Sequence, residues 1–266
     1  MPKSKAIIRI ICLIMLPLFA SACQNTNSIP VTATIATFPS TNTGTLSPNE
    51  AMVKMYGENV VLHGYSEQSD ASITIGEFTY NIRINILSCY WEIELEIPVE
   101  KCMVVTEKAQ TYGGHPTGAI IDAAIFDRGA TDWKVRYLKT NMIALGSFGQ
   151  IPQGQLIQIG RRNYATLLRG VYANMGGEFE RLVIIAETKQ SLGIIFQIVS
   201  SQSKISGTGL PDEWAYNARL QFQMGDYNDE YYRIVVRYYG TSQSGITPPM
   251  EIHEYVDPQY IWTNKK

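Results

Sequence analysis

Histidine and cysteine are scarce in this 266-residue chain, with three and four copies. His63, His115 and His253 lie far apart and show neither H-x-H nor H-E-x-x-H spacing, so they offer no ready zinc site. No G-x-S-x-G nucleophile elbow, P-loop or complete dinucleotide fingerprint occurs, so no cofactor is implied. Charge is thin at 17% and near balance, with 22 Lys+Arg against 24 Asp+Glu. Without basic runs the chain does not read as a nucleic-acid binder. The apolar stretch over residues 6–19 is too short to cross the ~30 Å hydrocarbon core, which needs about 20 apolar residues.

What that stretch does have is a basic flank, Lys3, Lys5 and Arg9, and a small-residue end followed by a thiol, Ala20-Ser21-Ala22-Cys23. This is the pattern of a secretory signal over residues 1–22. Its end resembles the lipobox of bacterial lipoproteins. The resemblance implies a diacylglycerol on Cys23 and a protein held on the extracytoplasmic side of the cell membrane. Ala20-Ser21-Ala22 is also an Ala-x-Ala site, which would release a soluble protein beginning at Cys23. The cysteine count separates the two. Cys12 leaves with the signal, and lipidation of Cys23 leaves Cys89 and Cys102 as an even pair, suited to a disulfide in an oxidising compartment. Losing the three signal cations would leave 19 Lys+Arg against 24 Asp+Glu.

Residues 24–49 carry no charge and are mostly Thr, Ser, Asn and Pro. Such a segment cannot bury enough apolar surface to offset its chain entropy, so residues 23–49 read as a lipid-anchored disordered linker. Residues 50–266 read as a single β-rich domain. "SPNEAMVKMYG" predicts one short helix, with Ser47 as N-cap, Pro48 in the first turn, Glu50 completing a capping box and Gly57 closing it. After it, period-2 alternation dominates. "FTYNIRINI" puts Phe78, Tyr80, Ile82, Ile84 and Ile86 on one face. "WEIELEI" sets Trp91, Ile93, Leu95 and Ile97 against Glu92, Glu94 and Glu96. "WAYNARLQFQM" alternates from Trp214 to Met224, whereas "RRNYATLLRGVYA" is ambiguous. The fold class expected is mainly β, in antiparallel sheets, as a sandwich, barrel or propeller-like array.

Several patterns suggest chemistry. Glu92, Glu94 and Glu96 could pair for glycosidase work, but a regular ladder gives all three one environment, so they read as a solvated face. "GDYNDEYYRIVV" resembles the acidic Ca²⁺ loops of FG-GAP-type propeller repeats at Asp226, Asn228 and Glu230. It lacks the loop glycine and has Ile234 where an acid is needed, so no metal is assigned. "SQSK" at residues 201–204 matches the S-x-x-K of penicillin-binding enzymes without K-T-G and without an amphipathic helix to carry it. On the 214–239 hairpin the polar face carries Arg219, Tyr231, Arg233 and Arg237. Guanidinium and phenol groups there could stack on sugars or pair with anions. These observations favour a membrane-anchored extracytoplasmic lipoprotein with a non-catalytic binding domain, whose partner is an envelope glycan or protein. Two alternatives stand beside it: an envelope hydrolase using Glu178, Glu180 or Asp212, and a purely structural envelope protein.

Overall fold

The computed structural model describes residues 44–63, 70–94, 97–110, 118–147, 153–174, 177–204, 214–224, 230–242, 245–247 and 249–263. Cys23, most of the linker, Glu96, His115, Asp212 and Asp226 lie outside the described residues. The helix forms where its capping signals place it, as α1 (Pro48–Tyr56). Ser47 Oγ accepts from the Glu50 N–H at 3.2 Å, and Gly57 ends the helix at φ 76°, a region that favours glycine. The Glu50 carboxylate turns to Lys54 at 3.7 Å instead of closing the capping box. Leu46 is buried, and the Gly44 carbonyl accepts from Trp133 Nε1 at 3.3 Å and Arg128 Nη1 at 2.5 Å. Residues 44–49, assigned to the linker by composition, therefore belong to the packed structure.

The rest is strand: β1 (Val61–Leu62), β2 (Ala71–Ile75), β3 (Phe78–Glu94), β4 (Ile97–Gln110), β5 (Ala119–Arg128), β6 (Trp133–Leu145), β7 (Gln153–Gln158), β8 (Tyr164–Asn174), β9 (Gly177–Glu187), β10 (Leu192–Lys204), β11 (Trp214–Gln223), β12 (Arg233–Gly240), β13 (Glu251–Val256) and β14 (Gln259–Trp262). They form two antiparallel sheets, one of β1–β6 and one of β7–β14, each in sequence order. The fold is mainly β, in antiparallel sheets, with one short N-terminal helix. Among the described residues no helix is long and apolar enough to cross a membrane.

The sheets pack face to face. Ile86, Met103, Val105, Ile121 and Ile125 of the first meet Leu168, Val183 and Ile185 of the second in one core. The outer face of the first sheet is covered by α1, where Ala51 and Met55 pack on Cys102, Val104 and Phe126. The outer face of the second sheet folds over a core of its own, built from Leu167, Ile184, Phe196, Leu220 and Ile234. Strands β4, β5, β8 and β9 are thus buried on both faces. That is why "YATLLRGVYA" gave no clean period: Leu167 and Leu168 enter different cores.

The second sheet curls until the chain leaving β7 meets the chain entering β12. Gly160 bridges Tyr231, and the Tyr232 N–H donates to the Ile159 carbonyl at 2.7 Å. A Cβ on Gly160 would collide with the Glu230 carbonyl, so only glycine permits this approach.

A bulge corrects the face assignment in β3. The β3–β4 register shifts between Ile84 and Ile86, leaving Asn85 as the extra residue. Because side chains alternate, one extra residue swaps the faces. Ile82 and Ile84 pack on the α1 side, but Ile86 enters the inter-sheet core and Leu87 takes the α1 side. Cys89 and Cys102 then face each other at disulfide distance, with Cα atoms 3.9 Å apart.

Candidate functional site

The bulge also decides where the glutamates point. Tyr90 lies opposite Lys101, so Tyr90, Glu92 and Glu94 share the inter-sheet face with Lys101. Lys101 is 1% exposed. Its ammonium touches Glu92 at 2.6 Å, Glu94 at 2.7 Å and Glu187 of β9 at 2.9 Å. Arg136 of β6 braces the cluster, reaching Glu94 at 3.2 Å, Asp127 at 3.2 Å and Glu187 at 2.7 Å. One sheet supplies Glu92, Glu94, Lys101 and Arg136, and the other supplies Glu187.

The expected solvated ladder is therefore corrected. Its Glu92 and Glu94 turn inward, and they do not share one environment. Burial raises the Glu92 pKa, with Lys101 opposing it, whereas the Lys101 hydrogen bond holds Glu94 below the usual carboxylate range. Burial works against the charge on Lys101, yet its three carboxylates outweigh it and hold its pKa above the ordinary lysine value.

This cluster forms the deep end of a groove. Its walls include Tyr90, Asn163, Tyr164 and Thr188, and it opens past Lys189, Glu230 and Tyr231. Those three residues also line a second cavity of about 330 Å³, with Arg233, Glu254, Tyr255 and Asp257. Tyr231 and Tyr255 stack there with centroids 3.8 Å apart and 22° between planes. The Tyr255 hydroxyl donates to Asp257 at 3.0 Å, and Arg233 pairs with Glu254 at 3.2 Å. The curled corner at Gly160 positions the mouth, since Asn163 Nδ2 donates to the Glu230 carbonyl at 2.9 Å.

The Arg/Tyr face divides. Arg219 and Arg237 lie directly opposite each other on the exposed side of β11 and β12, and Arg219 sits over the Tyr239 ring at 5.2 Å. Arg233 is at the groove four residues along β12, about 13 Å from Arg237 at the usual strand rise. Tyr231 leaves that face altogether and packs toward the core of the curled sheet. The four residues are not one surface.

Other expectations resolve locally. Glu180 accepts from Ser200 Oγ at 2.5 Å and pairs with Arg169 at 3.4 Å, while Glu178 lies exposed on β9 away from the groove lining. Residues 201–204 sit in β10, not at a helix start. His253 bonds Glu251 at 3.0 Å, and His63 bonds Ser72 at 3.0 Å. Among the described residues no three His, Cys, Asp or Glu side chains are placed to hold a metal ion.

Sequence reasoning missed Lys101, Arg136, Glu187, Lys189 and Tyr255. One signal was present for Lys101: pairing Cys89 with Cys102 sets residue 101 opposite 90, diagonal to Glu92. Nothing local announces the contributions from β6, β9 and β13. No family model, no curated protein and no solved structure matches this chain.

Proposed function

We propose that the chain is a membrane-anchored extracytoplasmic lipoprotein, lipidated on Cys23, whose β domain is a non-catalytic binding module with its ligand site in the groove between the sheets. The anchor rests on the lipobox resemblance and on the Cys89–Cys102 pair, which suits an oxidising compartment. The observation that carries the binding reading is the deep end of the groove. Lys101 and Arg136 engage Glu92, Glu94 and Glu187, and these ion pairs bridge the two sheets. A general acid needs a carboxyl free to give up its proton to a substrate. Here the carboxylates are committed to holding the scaffold, and the open part of the groove is its tyrosine-lined mouth.

A second reading is a hydrolase at Glu92 and Glu94, favoured by their oppositely displaced pKa values. Two measurements test the proposal. Intact mass of the membrane-extracted protein should show acyl mass on Cys23. An unmodified Cys23 N-terminus in the soluble fraction overturns the anchor. Saturable binding of an envelope fraction should weaken on changing Glu254 or Lys189 and persist in Glu92→Gln without product release. Turnover that Glu92→Gln abolishes replaces the binding reading with the hydrolase.

A further inference from the structure

We propose that the mouth of the groove is a carbohydrate subsite that takes a neutral pyranose ring. The inference rests on the binding reading above and names its ligand class. The cavity, about 330 Å³, falls at the lower end of the range for small-molecule sites. Its aromatic wall is the Tyr231–Tyr255 stack, half-buried and held from behind, because Tyr255 also meets buried Tyr260 edge-on at 5.3 Å. The face of a phenol ring is electron-rich and attracts the C–H groups on the apolar side of a sugar ring. Burial pushes the Tyr231 hydroxyl up to about 12, against the opposing effect of its hydrogen bond with Tyr255.

The charges around the stack favour a hydroxyl-rich neutral ligand. Three carboxylates, Glu230, Glu254 and Asp257, stand beside two cations, Lys189 and Arg233, and Arg233 is already paired with Glu254. An anionic ligand would meet more carboxylates than cations. A simple organic cation would meet Lys189 and Arg233 in the lining of the same cavity. A sugar hydroxyl both donates and accepts, so it uses interleaved acceptors and donors together. An extended peptide would need pockets for alternate side chains, and this cavity offers one aromatic wall in a polar ring.

The test uses the full chain in detergent, titrated calorimetrically with cellotetraose, chitotetraose, maltotetraose and mannotetraose, with polygalacturonate and spermine as charged probes. At least one neutral tetrasaccharide should bind. Tyr255→Ala should weaken it by about tenfold or more. Because that variant could disturb the core, Glu254→Gln and Lys189→Ala, both on the cavity rim, are measured beside it. Each should weaken binding by several-fold with an unchanged melting temperature. Arg219→Ala/Arg237→Ala should bind as the parent does. Failure of every tetrasaccharide, or binding indifferent to the Glu254 and Lys189 changes, overturns the inference. If polygalacturonate or spermine binds instead and the rim variants weaken it, the sugar class is wrong and the binding reading stands. If a tetrasaccharide is cleaved and Glu92→Gln stops it, the subsite stands and the non-catalytic reading falls.

Discussion

An ammonium that is 1% exposed must have its charge met inside the protein, because an unpaired buried ion costs many kcal/mol. Lys101 meets that demand with three carboxylates, and they in turn depend on it. Lys101→Met would leave Glu92, Glu94 and Glu187 facing one another with only Arg136 beside them. We expect a loss of about 3–5 kcal/mol at pH 7, read by urea denaturation. The deficit should shrink toward pH 4 as the stranded carboxylates take up protons, Glu92 first. A variant as stable as the parent at pH 7 would contradict the assigned role.

Glu107 occupies the other end of the same face of β4, 4% exposed, with Asn85 Nδ2 donating to it at 3.3 Å. Burial raises its pKa to about 7. A raised folded pKa stabilises the protein fully below the unfolded value, and that contribution is lost as pH rises through about 7. Glu107→Gln should therefore match the parent near pH 4 and exceed it at pH 8 by on the order of 2 kcal/mol.

At the scale of elements, the β3–β4 hairpin organises both sides of the first sheet. One bulge residue, Asn85, reverses the faces, so that Cys89 and Cys102 pack beneath α1 while Glu92 and Glu94 reach the groove. The opposite face carries its own polar lock. Asp122, fully buried, pairs with Lys108 at 2.8 Å and accepts from the Tyr56 hydroxyl at 2.7 Å and the Asn141 N–H at 2.6 Å. Since one O–H cannot donate twice, Thr106 donates to Tyr56 across their 2.5 Å contact. This ties α1 to β4, β5 and β6. A disulfide between Cys89 and Cys102 would close a loop with a sequence separation of 13 residues. Cys89→Ala/Cys102→Ala should lower stability by about 3 kcal/mol in the chain-entropy account. Oxidised and reduced parent protein should differ by a similar amount, and alkylation of the unreduced parent should find neither cysteine free.

For the whole molecule, the shared core makes each sheet depend on the other. Val183 and Ile185 face the first sheet, while Ile184 and Ala186 face the curled core, so β9 cannot leave one core without opening the second. The four tryptophans provide a check, with Trp91 and Trp133 in the first sheet and Trp214 and Trp262 in the second. Variants retaining only Trp133 or only Trp214 should report coincident denaturation midpoints. Leu168→Ala, a truncation at a buried inter-sheet position, should shift both together by about 2–5 kcal/mol. Separate transitions would show that the sheets fold independently.

What the sequence determined by itself is local. The helix follows from Ser47, Pro48 and Gly57, because capping depends only on neighbours along the chain. The β class follows from alternation, and the cysteine pairing from counting. The strand "WAYNARLQFQM" keeps its register, with Leu220 buried and Asn217, Arg219 and Gln221 exposed. What tertiary structure decided is every property that depends on which surface covers a strand. Glu92 and Glu94 of "WEIELEI" look solvated until a bulge and a second sheet set them around Lys101. "YATLLRGVYA" looks ambiguous until two cores claim adjacent leucines. Tyr231 appears to continue the arginine face until the curl at Gly160 carries it to Tyr255. Alternation records that two faces differ, but only packing decides which of them is inside, because the burial of a face depends on residues distant in sequence.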